Sequence, residues 1–279
     1  MKNFLIILFL SVSVSNLFAQ NADVIKSDAL MAQSVDDFAS AAELFASAAT
    51  AYEDAGIFDT LSVYQAGVNY NRIKEYDKAL DFFTKLKAEN INTIEVALAM
   101  SDSYIGTKEL DKAITVLEDH LDEDSNLSSI YRKLSVVTFN AKKPDKALDY
   151  SSKSLELSPN DSFIHMIKMI SLAQSNKIAE AIKEGKNILE YDPDNIRVNE
   201  QLGVLMCRAI DAEYGREKNR YDRMANPTRV DYSNTRKKLA DIAKKYEEAF
   251  PYLEKALKAN PNNQQVKTIL ENSKKRMTD

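Results

Sequence analysis

One phrase returns on schedule along the chain. Asp77-Lys78-Ala79-Leu80, Asp111-Lys112-Ala113-Ile114 and Asp145-Lys146-Ala147-Leu148 are near copies, and Glu180-Ala181-Ile182 is a fourth with its first residue changed. The alanines stand at positions 79, 113, 147 and 181, so the step is the same each time. Self-similarity at a fixed period of about 20–50 residues marks a stack of identical supersecondary units, each burying its apolar face only against its neighbours. Such a stack presents extended surface, and the function it points to is the binding of another polypeptide.

Composition says what repeats. Six Gly and six Pro in 279 residues leave few interruptions, and Ala, Leu, Lys and Glu dominate, which favours helices. No run of alternating Val, Ile and Thr reads as a strand, so the expected class is all-α. Within residues 128–161, Tyr131, Leu134, Ser135 and Thr138 fall at helical spacing, Lys142-Lys143-Pro144-Asp145 makes a turn, and Ala147, Leu148, Ser151 and Leu155 continue on a second helix. Pro159 closes the unit, since proline cannot continue a helix and restricts the residue before it. Pro193 and Pro261 punctuate in the same way.

These residues resemble the tetratricopeptide repeat, a helix-turn-helix unit of about 34 residues. Its pattern of bulky and small positions falls on Val63, Ala66, Gly67, Tyr70, Ala79, Phe83, Leu86 and Ile91 in unit 60–93, and on Ala97, Met100, Ser101, Tyr104, Ala113, Leu117, His120 and Ser125 in unit 94–127. Small residues at the eighth and twentieth positions let paired helices approach closely. The resemblance implies a right-handed superhelical solenoid of units 22–59, 60–93, 94–127, 128–161, 162–195 and 196–263. Unit 162–195 departs at Lys168 and Met169, which replace a Leu and a small residue. In the last unit Leu202-Gly203 begin a first helix in register, yet Ala249, Leu253, Ala256 and Pro261 arrive one whole period late. Pro261 thus follows Pro193 after a doubled interval. This predicts lengthened helices over about 198–224 and 231–259, a turn at Asn226-Pro227, and a long projecting hairpin. Residues 264–279 read as a capping helix.

At the N-terminus Lys2 precedes an apolar run from Phe4 to Leu10 that continues to Ala19. A short basic region, an apolar stretch of about 7–15 residues and a small residue at the end make a secretory signal over 1–19, too short and too often broken by Ser for a span. The expected location is the periplasm or cell envelope of a Gram-negative bacterium. Cys207 is the single cysteine, so no internal disulfide supports the fold, and a buried thiol is the expectation.

Enzyme chemistry finds little support. His120 and His165 are the only histidines and read as packing residues, too few with one Cys for a zinc set. The acidic run at 122–126 lacks the Gly and Glu of a calcium loop, with Leu127 and Lys133 at those places. There is no phosphate loop or nucleophile motif. The expectation is a non-enzymatic scaffold with no cofactor and no metal.

The resemblance implies that a peptide or helix lies in a concave groove formed by first helices. By register the groove falls on Tyr64, Asn71, Asp102, Arg132, Phe139, Asn140, Met166 and Arg208. A second candidate comes from charge. Residues 216–245 hold ten Lys or Arg against four Asp or Glu, a net of +6 in a chain of net −5, with Tyr221 and Tyr232 interleaved. This marks Arg220, Arg223, Arg236, Lys237 and Lys238 as the alternative, a hairpin that docks on an anionic surface; nucleic acid is not an expected partner of an exported protein.

Overall fold

The computed structural model describes residues 19–122 and 127–278. The signal segment and the acidic run after Asp122 therefore lie essentially outside the described residues. Among these residues every regular element is helical. The chain divides into two compact units, one ending at Ala141 and one beginning at Lys142. The first holds α1 (19–34), α2 (Phe38–Asp54), α3 (Thr60–Arg72), α4 (Tyr76–Ala88), α5 (Ile94–Gly106), α6 (Leu110–Glu118) and α7 (Leu127–Asn140). The second holds α8 (Pro144–Leu157), α9 (Ser162–Gln174), α10 (Ile178–Tyr191), α11 (Ile196–Asp222), α12 (Arg229–Lys244), a 3-10 turn (Lys245–Glu248), α13 (Phe250–Ala259) and α14 (Gln264–Thr278).

The period is written into the helix ends. Asp59, Thr93, Asp161 and Asn195 cap first helices, each side chain accepting from a backbone N–H in the first turn. Lys74, Lys108, Lys142 and Asn176, spaced by the same period, adopt left-handed backbone with φ of 66°, 66°, 56° and 60°. After Lys74 and Lys108 the chain closes the helix with the six-to-one bond of a Schellman cap, Glu75 N to Tyr70 O at 2.9 Å and Glu109 N to Tyr104 O at 2.8 Å. A lysine in this region is strained by roughly 1 kcal/mol or more, so the tertiary stack must hold it there.

Both helices of a repeat meet through small residues. Ala41, Ala79, Ala113, Ala147 and Ala181, one per second helix, and Ala249 at the N-cap of α13 are fully buried. The recurring Asp and Lys beside them are exposed, so the repeated phrase is a mark of packing. Opposite each alanine row, the eighth residue of the first helix faces the twenty-fourth. A Cβ on Gly67 would sit 2.7 Å from Phe83 Cε1, and one on Gly203 would sit 2.7 Å from Leu253 Cδ2. Unit 162–195 reverses the sizes. Met169 is fully buried in the first helix, and the position facing it is Gly185, where a Cβ would come within 2.8 Å of Met169 Sδ. The departure at Met169 is thus compensated across the pair, and α9 packs on α10 as its neighbours do.

The final repeat is interrupted. The left-handed turn due at 210 is occupied by buried Ile210 inside a continuous 27-residue α11. Gly203 on α11 still meets Leu253 on α13, so α11 and α13 form the repeat. The alanine of the second helix, due at position 215, comes instead at Ala249, and the intervening stretch is inserted as a hairpin with α12. The segment read as one helix over 231–259 is instead α12, the 3-10 turn and α13, because Pro251 in the first turn of α13 has no N–H to donate backwards.

The reversed pair at 169 and 185 gives a double-mutant test by urea unfolding. Gly185→Leu should cost about 1–3 kcal/mol by overpacking and Met169→Ala about 2–5 kcal/mol. Combined, they should cost less than the sum by about 1 kcal/mol or more, because the new Leu fills the space Met169 vacates. Strictly additive costs would show that the two residues do not share that space.

Candidate functional site

In the first unit, the first helices α3, α5 and α7 carry six of the residues assigned to a groove. Two of their polar members, Asn71 and Asp102, are engaged by groups on the neighbouring first helix. Asn71 Nδ2 donates to Ala99 O at 2.8 Å, and its Oδ1 accepts from Ser103 Oγ at 2.6 Å, which ties α3 to α5. Asp102 pairs with Lys133, which ties α5 to α7. Tyr64 is half-buried beside Phe83, with ring centroids 6.3 Å apart. Its phenol is pushed up by burial and then by the Glu95 carboxylate. What remains as open apolar surface is the half-buried set Leu98, Ile105, Val136 and Phe139, flanked by exposed Arg132 and Asn140.

In the second unit the two remaining residues differ. Met166 is 7% exposed and sits in the core with Met169, Leu172, Ala181, Ile188, Val198 and Leu205. Arg208 is exposed on α11. Nearby, Cys207 is buried and accepts a long hydrogen bond from Ser273 Oγ at 3.6 Å, and burial pushes its thiol up. His165, expected as a packing residue, has both ring nitrogens engaged, Nδ1 2.5 Å from Glu184 Oε1 and Nε2 2.8 Å from Pro159 O. Glu184 also receives Lys168 at 3.6 Å, so the second departure of this unit serves a buried carboxylate.

The inserted hairpin has two unlike flanks. Its base is fixed by a core of Cys207, Ile210, Ile242, Tyr246, Leu253 and Val266. Above this, Tyr246 hydroxyl lies against Asp211 and accepts from Arg276 Nη1 at 3.0 Å, while Arg276 pairs with Asp211, so α14 is tied to both sides of the hairpin. On one flank the charges cancel. Glu217 takes Arg220 at 2.6 and 3.0 Å and Lys238 at 3.8 Å, and Glu213 takes Lys245 at 2.8 Å. The hydrogen bond from Arg220 holds the Glu217 carboxyl below the usual range. These side chains border a shallow space of about 430 Å³.

The other flank is a cleft of about 630 Å³ between α11, α12 and the end of α14. Tyr214, Tyr221 and Tyr232 wall it together with Lys218, Thr235 and Arg236. Tyr221 and Tyr232 stand 6.2 Å apart, tilted by 59°. Of the five basic residues assigned to the hairpin, Arg236 faces this cleft and Arg220 and Lys238 belong to the neutralised flank. Arg223 caps α11, and it and Lys237 are exposed. Lys218, counted among the ten basic residues of 216–245, is not among the five singled out, though Tyr214, Lys218 and Tyr221 stand at i, i+4, i+7, one face of a helix, and Tyr232, Arg236 and Leu239 repeat the spacing on α12.

Among the described residues no three His, Cys, Asp or Glu side chains cluster as metal ligands, and no helix is long and apolar enough to cross a membrane. The tetratricopeptide-repeat family matches residues 239–263. No curated protein matches the chain. Among solved structures, the chain is similar to YrrB, described as a TPR protein with an unusual peptide-binding site, at 18% identity and a TM-score of 0.58 over 82% of this chain and 99% of that one. It is similar to MamA of AMB-1 at 17% identity and a TM-score of 0.53, over 74% and 93%. A third likeness is to MamA of RS-1 at 14% identity and a TM-score of 0.57, over 74% and 97%. The fold is that of a helical tetratricopeptide-repeat solenoid.

Burial pushes the phenols of Tyr70 and Tyr246 up to about 12. A phenol raised in the folded state contributes stability that is intact below pH about 10 and is lost as pH climbs through about 12. Tyrosinate absorbance at 295 nm should therefore show a late component that rises only as helical circular dichroism collapses. Tyr246→Phe should shrink that component by about half. A single titration near pH 10, with no lag in either protein, would contradict the burial of these rings.

Proposed function

We propose that this chain, a tetratricopeptide-repeat solenoid by fold, is a non-enzymatic scaffold that holds a peptide or helical segment of a partner protein on its first-helix surface. The observation that carries the reading is the half-buried apolar row of Leu98 and Ile105 on α5 with Val136 and Phe139 on α7. Two hydrogen bonds tie α3 to α5 and one ion pair ties α5 to α7, so the row lies on packed helices and little ordering entropy is lost on binding. Exposed Arg132 and Asn140 border the row and would orient the ligand. The likeness to a protein described as having a peptide-binding site supports the class of ligand.

A photo-crosslinking residue placed at Phe139 and expressed in the native cell should give discrete adducts identifiable by mass spectrometry, whereas the same residue at Thr115, exposed on second helix α6, should not. Ile105→Ala with Phe139→Ala should cut recovery of those adducts' partner at least about fivefold while the melting temperature falls by a few degrees at most. Equal adducts from both positions, or undiminished recovery, would sink the surface assignment.

We further propose that the chain is exported, on the strength of Lys2 and the apolar run that follows it. Cell fractionation should place the full-length product in the periplasm or envelope, with a new N-terminus near Gln20, and removal of residues 1–19 should leave it in the cytoplasm. A cytoplasmic full-length protein retaining Met1 would refute export.

A further inference from the structure

We propose that the cleft between α11, α12 and the end of α14 binds an acidic, aromatic-containing peptide segment of a partner protein, at a site separate from the first-helix surface. The inference rests on the scaffold reading for the kind of partner and on different residues for its capture. Its first support is the contrast between the two flanks of one hairpin. On the neutralised flank Glu213 and Glu217 take up Arg220, Lys238 and Lys245. In the cleft, Lys218 and Arg236 line the wall, and neither has an ion pair among the described residues. Asp222, the carboxylate lining the cleft, does not pair with them among the described residues. Two cations facing one concavity repel each other, and an anionic ligand would relieve that repulsion while gaining charge-assisted hydrogen bonds.

A second, independent support is Thr235. It is 4% exposed, lines the cleft, and its hydroxyl has no hydrogen-bond partner among the described residues. A buried unmatched hydroxyl costs about 1–3 kcal/mol, and a peptide carbonyl or carboxylate reaching the base of the cleft would satisfy it after a small rotation. The third support is the wall itself. Tyr214 and Tyr221 are half-buried and Tyr232 is 54% exposed at the rim, offering ring faces to an apolar side chain and hydroxyls to a backbone. Tyrosine and arginine, with tryptophan, are the residues enriched among interface hot spots. The volume, about 630 Å³, lies within the range of about 300–1,000 Å³ typical of ligand sites.

α14 makes the site one of the finished fold. Arg276 reaches from α14 to Asp211 and Tyr246 and lies 5.6 Å from the Tyr214 ring centre. Arg276 and Tyr214 both line the cleft, so α14 supplies part of its wall.

The test uses the full chain and three fluorescein-labelled heptapeptides followed by fluorescence anisotropy, EFEEFEE, EGEEGEE and KFKKFKK. EFEEFEE should bind tightest, EGEEGEE at least about fivefold more weakly, and KFKKFKK not measurably. Raising salt from about 50 to about 500 mM should weaken EFEEFEE by at least tenfold. Lys218→Glu and Arg236→Glu should each weaken it at least tenfold with circular dichroism melts unchanged, whereas Arg220→Glu, on the paired flank, should stay within twofold. Tyr221→Ser with Tyr232→Ser should abolish the preference for EFEEFEE over EGEEGEE. The Ile105→Ala, Phe139→Ala variant should bind EFEEFEE as the wild type does. Loss of binding there would move the peptide to the first-helix surface and overturn the cleft while leaving the scaffold reading standing. No binding of EFEEFEE, or binding untouched by Arg236→Glu, overturns the proposal. So does an Arg236-dependent association with phosphatidylglycerol vesicles, or with a second copy of the chain in sedimentation, in the absence of peptide binding.

Discussion

Everything in this chain depends on how closely the two helices of a repeat can approach. Beside the fixed row of buried alanines, the approach is set by volume shared between the eighth and twenty-fourth positions, either of which can be the small one. Gly67 faces Phe83, Gly203 faces Leu253, and Met169 faces Gly185; one partner is large and the other has no side chain at all. Interiors packed to crystal-like density admit little change in the summed volume, so the sum is held while the distribution drifts. This is how the chain can keep a strict period with little identity to structures of the same fold.

The length of each unit is set elsewhere, at its turns. Caps at Asp59, Thr93, Asp161 and Asn195 start the first helices, and the left-handed residues at 74, 108, 142 and 176 stop them. A turn of this kind is tolerated by lysine only because the packed alanine five residues later fixes where the second helix must begin. At 210 the stop is replaced by an apolar, helix-compatible Ile that joins the core. The first helix then runs on for about three further turns before the chain breaks at Asn226-Pro227, and the second helix has to wait. The insertion amounts to one full period, yet it is no extra repeat, because α12 has no first helix of its own to pair with. Pro251 restores the register by forcing a new helix start just where Leu253 must meet Gly203.

The fold was largely legible in the sequence for this reason. Its determinants are local and periodic, and alanine spacing, proline stops and turn residues can all be read by position. What could not be read was compensation between distant residues. Met169 looks like a misfit until Gly185 is known to face it, and Asn71 looks like a ligand contact until Ser103 and the Ala99 carbonyl are found to claim it. The same limit applied to the hairpin. Counting charge over 216–245 locates a basic segment but cannot tell cations with partners from those without. That distinction depends on the angle at which α12 returns along α11, and it separated Arg220 and Lys238 from Arg236.

Neutralisation on one flank also bears on what the hairpin is for. Were its excess charge only a means of solubility, pairing would be indifferent to flank, since exposed ion pairs contribute about 0–1 kcal/mol wherever they form. Instead Glu213 and Glu217, one turn apart on α11, collect cations on one flank, and Lys218 sits directly beside them in sequence on the other. A single helical step of about 100° therefore separates a charge-balanced surface from a cationic, tyrosine-walled one. Such sharp one-sidedness also bears on how the hairpin meets a partner. A flat anionic surface would meet the rim and both flanks alike, whereas a ligand that enters from one side and is narrow enough for the cleft meets only the unbalanced one. The asymmetry therefore favours an inserted chain segment over a flat surface as the hairpin's partner.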